Sequence, residues 1–166
     1  DWSSDVCSSD LVERGVRLID LSTMMPRYQP YGRGLMAEHE EGPEAEINPY
    51  KGTFDLLKAT KEIKDAVPGG IFVCTGLTWL EQFGGNVAAG GIRDGWFDLG
   101  GFGRQGFAYP DFAKDLLQDK TMYRNKCCVL CDKCYDLIQI GHCQTGCVMR
   151  DQEVYLPLYK KNVLKK

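Results

Sequence analysis

Three short apolar segments, each leading into a helix-like stretch or a long connection, constrain this chain more than any other feature. Val16-Arg-Leu-Ile-Asp-Leu-Ser22 is rich in β-formers and follows a turn glycine, Gly15. Ile71-Phe-Val-Cys-Thr75 is a second apolar strand, ended by Gly76. Trp96-Phe-Asp-Leu99 is a third, and it runs into Gly100, Gly101, Gly103 and Arg104. Between the first two, Phe54, Leu57, Ala59, Ile63 and Val67 recur at helical spacing. Thr53 is the expected N-cap and Pro68-Gly69-Gly70 the stop. Thr78 to Ala89 reads as a helix weakened by Gly84-Gly85, and Asp111 to Leu117 as a short helix after Pro110. The order strand, loop, helix, strand, helix, strand, helix implies βαβ units and a parallel sheet.

The first eleven residues stand apart. Asp1-Trp-Ser-Ser-Asp-Val-Cys-Ser-Ser-Asp-Leu11 resembles a translated sequencing adapter, so the native fold is expected to begin at residue 12 and to belong to a longer protein. Asp1, Asp5 and Asp10 account for the formal net charge of -3, and the rest of the chain is balanced. No single-sign field remains of the kind that nucleic acid or a charged membrane surface would need. No apolar run approaches the roughly 18 residues of a membrane span. Hydrophobic content of 43% suits a globular domain with a core. The expected divisions are 1–11, a barrel-type portion over 12–126, and a Cys-rich tail over 127–166.

Residues 23 to 50 read as a long loop with Pro26, Pro30, Pro43 and Pro49. Tyr28, Tyr31 and Arg33 suit a ligand-facing loop; His39, beside Glu38, Glu40 and Glu41, reads as solvated.

The third strand end carries the chemistry. Gly100, Gly101 and Gly103 leave no Cβ to block a ligand approaching the backbone. Arg104 adds a permanent charge and a planar fork of donors. Together they read as a phosphate-binding strand end; an ordinary tight turn is the plainer alternative. Gly101-Phe-Gly-Arg-Gln-Gly106 also matches a literal G-x-G-x-x-G, but Tyr109-Pro110 interrupts the long helix that a dinucleotide fold requires.

Of eight cysteines, six crowd into Cys127, Cys128, Cys131, Cys134, Cys143 and Cys147. Cys74 lies in a strand and reads as a small core residue. Cys128-x-x-Cys131-x-x-Cys134 with Cys147 downstream has the spacing of cluster ligands. Zinc and disulfides are competing readings of the same thiols. Cys143 is the alternate fourth ligand, and His142 reads as a turn residue.

Leu99-Gly-Gly-Phe-Gly-Arg-Gln-Gly-Phe-Ala-Tyr-Pro-Asp-Phe112, followed by the cysteine cluster, resembles the last barrel strand of the old yellow enzyme family of NADH:flavin oxidoreductases. Its dienoyl-CoA-reductase-like branch is the most similar. Val73-Cys-Thr-Gly76 is similar to the family's seventh strand and Leu18-Ile-Asp-Leu-Ser22 to its sixth. Tyr109 stands where the family has Asp, and two residues rather than three separate Cys131 from Cys134. The resemblance implies part of a (β/α)8 barrel, about its last three βα units, with FMN as cofactor. It implies that the FMN phosphate meets the backbone at Gly76, Gly101 and Gly103, with Arg104 as counter-charge. It further implies an iron–sulfur cluster on the tail, a reducing cytoplasmic setting, and hydride transfer from NAD(P)H through FMN to an electron-poor acceptor such as an activated alkene. The family's substrate-polarising histidines and proton-donating tyrosine belong to earlier strands, so the catalytic residues stay unassigned. The rival from another class is a zinc-binding Cys-rich module without catalytic activity.

Overall fold

Leu18–Leu21 (β1), Ile71–Cys74 (β2) and Leu99–Gly100 (β3) form a three-stranded parallel sheet in the order β1-β2-β3. The computed structural model describes residues 4–22 and 49–164, and the protein is mixed α/β, 55% helical. Register pairs Leu18 with Ile71 and Leu21 with Cys74, then Val73 with Leu99 and Cys74 with Gly100. The third strand is shorter than its apolar run suggests. Trp96 and Phe97 lie outside the ladder, yet Phe97 is fully buried, because a large ring gains more from the core than from pairing.

The described residues divide into two compact units, Asp1–Leu80 with Gly84–Phe102, and Glu81–Phe83 with Gly103–Lys166. The expected boundary after residue 126 therefore falls inside the second unit. Helix α1, Ser4–Glu13, includes much of the segment set apart by its sequence, and Val12 packs against the first unit's core.

The connection expected to run to residue 50 gives way to helix at Pro49. The rest of it, with Tyr28, Tyr31, Arg33 and His39, lies outside the described residues. Helix α2 spans Pro49–Ala66. Pro49 suits a first helical position because its φ is preset and no N–H is lost there. Thr53, expected as the N-cap, instead sits one turn inside and is 1% exposed. Phe72 and Cys74 share one face of β2, and α2 covers it. Leu56 and Leu57 join the cluster around Cys74, Leu77, Ala88 and Phe97; Ile63 joins Phe72, Ile19 and Val67. Helix α2 therefore runs antiparallel to β2, as a crossover helix must to return the chain for a parallel strand.

Leu77–Phe83 is a 3₁₀ segment and Gly84–Arg93 is helix α3, so the single expected helix over 78–89 is broken. The break is at Glu81, whose φ of 47° and ψ of -123° no helix accommodates. In the second unit, helices α4 (Gly103–Ala108), α5 (Phe112–Asp119), α6 (Lys133–Gln139) and α7 (Gln152–Asn162) carry the chain to its end. Among the described residues no helix is long and apolar enough to cross a membrane.

Candidate functional site

In the first unit, the carboxyl ends of the strands are fastened by side chains. Thr75 Oγ1 donates to Leu21 O at 2.7 Å, tying β1 to the residue after β2. At the opposite, amino ends, Asp98 extends the ladder just ahead of β3: its N–H donates to Phe72 O at 2.9 Å, and its Oδ2 accepts from Phe72 N at 2.9 Å. Lys64 of α2 holds the other carboxylate oxygen at 2.6 Å. Burial pushes the Asp98 carboxyl up, but the Lys64 ammonium and the Phe72 N–H hold it below its ordinary value.

Gly76, two residues past the end of β2, has φ of +80°, which glycine adopts without strain. Gly101 has a different role from the phosphate donor expected of it. Its N–H donates to Cys74 O at 2.8 Å, so that proton is used within the unit. A Cβ there would meet Thr75 Cγ2 at 2.7 Å and Val73 Cγ1 at 3.1 Å. Gly101 is what lets the chain close onto β2 at this point.

In the second unit, Gly103 opens α4 with nothing within 4 Å of where a Cβ would be. That helix is six residues long, too short for the dinucleotide reading of G-x-G-x-x-G. Arg104 pairs with Asp132: a guanidinium N–H donates to Oδ1, with side chains 22% and 5% exposed. The other carboxylate oxygen, Oδ2, is buried with no hydrogen-bond partner among the described residues. Asp132 adopts φ of 55°, a left-handed conformation that Asp and Asn tolerate best after glycine. Arg104 therefore already has a counter-charge. A ligand phosphate would use its remaining N–H donors or displace Asp132.

Cys128 and Cys134 lie near the same pair. Cys128 and Cys147 are buried in one cluster with Ala108, against which Leu130 packs. Burial pushes the Cys128 thiol up; the Leu130 N–H and the Arg104 guanidinium pull it down, while Cys147 and Cys131 add to the rise. Cys134 is pushed up to about 11, mainly by burial and next by Cys128, with Arg104 opposing. So Cys131, Cys134 and Cys147 all neighbour Cys128 electrostatically. Cys131 is exposed, and among the described residues no three His, Cys, Asp or Glu side chains converge to hold a metal. None of the described cysteines is disulfide-bonded. Cys74 is fully buried in the first unit, the small core residue its strand position suggested.

Three residues central to this arrangement went unread in the sequence. Asp132 lies hidden between two cysteines of the ligand-like repeat. Gln105 is fully buried, and its Oε1 accepts from Cys128 N at 3.0 Å. Arg150 donates to Cys127 O through Nε at 3.1 Å and a terminal nitrogen at 2.8 Å. Only a polar residue inside an apolar context would have hinted at Gln105; nothing local marks the other two.

Compared with models of known families, with curated proteins and with solved structures, the chain matches none.

Proposed function

We propose that this chain is the phosphate-anchoring part of an FMN-dependent oxidoreductase that passes hydride from NAD(P)H to an electron-poor acceptor. The observation carrying the proposal is the sheet: three parallel strands in chain order, with Gly76 after β2 and Gly101 after β3. Successive parallel strands with glycine at their carboxyl ends are what the last βα units of a (β/α)8 barrel would supply, and there loops after such strands hold phosphate. The resemblance of the Leu99–Phe112 segment to old yellow enzymes gives the cofactor its identity.

FMN, when bound, supplies the hydride-accepting ring system. The residues of this chain would contribute anchoring. Within the first unit, Gly76 accepts the positive φ of its turn and Gly101 acts through close packing; within the second, Gly103 offers backbone access and Arg104 offers donors. The catalytic acid is not assigned. A second reading keeps the tail as the functional part, holding an iron–sulfur cluster or zinc through Cys128, Cys131, Cys134 and Cys147. Cys128 and Cys147 share one buried cluster, and a metal would require Cys131 and Cys134 to move toward them, because among the described residues no three such side chains converge.

Protein purified from its natural source tests the proposal. It is expected to be yellow and to release FMN on acid precipitation. Colourless protein that yields no flavin overturns the reading.

A further inference from the structure

The second unit contains a cavity of about 400 Å³ that the flavin reading does not use. Its walls include Glu81, Arg124, Asn125, Cys127, Val129 and Arg150. We propose that it binds the oxyanion, carboxylate or phosphate, of a small organic ligand.

The charge of the walls comes first. Two guanidinium groups face one carboxylate, so the lining is cationic by one unit. The Arg124–Glu81 pair is loose: Nε to Oε2 is 3.3 Å, with side chains 76% and 40% exposed. Such an exposed pair contributes little and exchanges readily for a better acceptor. Arg150 makes no ion pair among the described residues. It spends Nε and one terminal nitrogen on the Cys127 carbonyl, a neutral acceptor. Among the described residues this exposed guanidinium therefore has no carboxylate partner, its side chain is held in place, and further N–H donors remain. A guanidinium held in place by a backbone carbonyl loses little freedom when an anion docks.

Shape and backbone agree with this. Val129 and the buried Cys127 give the cavity an apolar wall, and the volume exceeds what a bare ion needs. Glu81 keeps its left-handed backbone although it is not a glycine, and strain of that kind tends to persist where a site requires it. Glu81 acts as the internal competitor for Arg124, and an incoming oxyanion takes its place.

Titration of the full chain with inorganic phosphate, acetate, phenyl phosphate and benzoate tests this, read by calorimetry and thermal shift. At least one anion is expected to bind saturably, and its phenyl form more tightly. Preference between the phosphate and carboxylate arms identifies the anion. Arg150→Gln is expected to weaken binding about tenfold, the loss of one charge-assisted hydrogen bond. Arg124→Gln, at an exposed side chain that leaves folding intact, is expected to weaken it several-fold, and Glu81→Gln to strengthen it several-fold. Absence of binding by all four probes overturns the proposal. So does binding that none of the three substitutions changes.

Discussion

Removing the Arg104 side chain should loosen the second unit selectively. Arg104 and Asp132 form an ion pair whose side chains are 22% and 5% exposed. Deleting one partner of a buried pair costs about 3–5 kcal/mol, because the survivor is left charged and desolvated. Among the described residues, Arg104→Ala leaves Asp132 with no side-chain partner for either oxygen, since Oδ2 has none to begin with. Arg104 keeps some solvent, which places the cost near the lower end, about 3 kcal/mol. Asp132→Asn should cost less, about 1–2 kcal/mol: the amide still accepts, water reaches the arginine, and Asn tolerates φ of 55°. Hydrogen exchange in peptides covering α6 reads this directly, because Asp132 precedes that helix. A 3 kcal/mol loss corresponds to exchange faster by roughly a hundredfold where opening is sub-global. Fluorescence of Trp79 and Trp96, both in the first unit, serves as the control and should not change. Exchange in α6 within twofold of wild type in Arg104→Ala would refute the reasoning.

Asp98 should make the first unit acid-sensitive. Its folded-state pKa is held down, so its contribution is complete above the ordinary value of 3.8 and is lost as pH falls through the lower folded value. Asp98→Ala should cost about 1–3 kcal/mol by stranding the Phe72 N–H, with the half-exposed Lys64 pair adding less than about 1 kcal/mol; urea titrations at pH 7 and pH 3 check both statements. In metal-free protein Cys131 should label first with a thiol reagent, ahead of the buried Cys127, Cys128 and Cys147. If the tail carries metal, Cys131 should resist labelling after anaerobic purification until a chelator is added. Iron with acid-labile sulfide then identifies a cluster, and zinc alone a structural site; immediate labelling of Cys131 as purified refutes both.

The strands and α2 were legible because burial enforces periodicity. Ile19, Phe72 and Cys74 repeat at the spacing of a covered sheet face, and Leu57, Ile63 and Val67 at that of a helix stripe; Phe54, expected on that stripe, is exposed, and Leu56, which was not expected there, is buried in its place. The limits were less so. Thr53 has the side chain of a cap, but Pro49 starts the helix a turn earlier. The break at Glu81 has no marker in residue type, because Glu is an ordinary helix former and the distortion comes from tertiary context. Helices α6 and α7 were masked by the cysteines and by Pro157, which sits inside α7 where a proline usually signals an end. Asp151 does cap α7, accepting from Val154 N at 3.4 Å, and could have been read as a start. At the candidate site, the glycines and Arg104 stood out by composition. Their partners did not, because Asp132 is 28 residues from Arg104 and the pairing is a property of the fold.

The central claim is that this chain anchors the phosphate of FMN. Parallel titrations with FMN and riboflavin, which differ by that phosphate alone, test it most directly. Charge-assisted hydrogen bonds contribute about 1.5–3 kcal/mol each, so FMN should bind at least about tenfold more tightly than riboflavin, and high phosphate concentration should narrow the gap. Equal affinity for the two flavins, or binding of neither, would contradict the account.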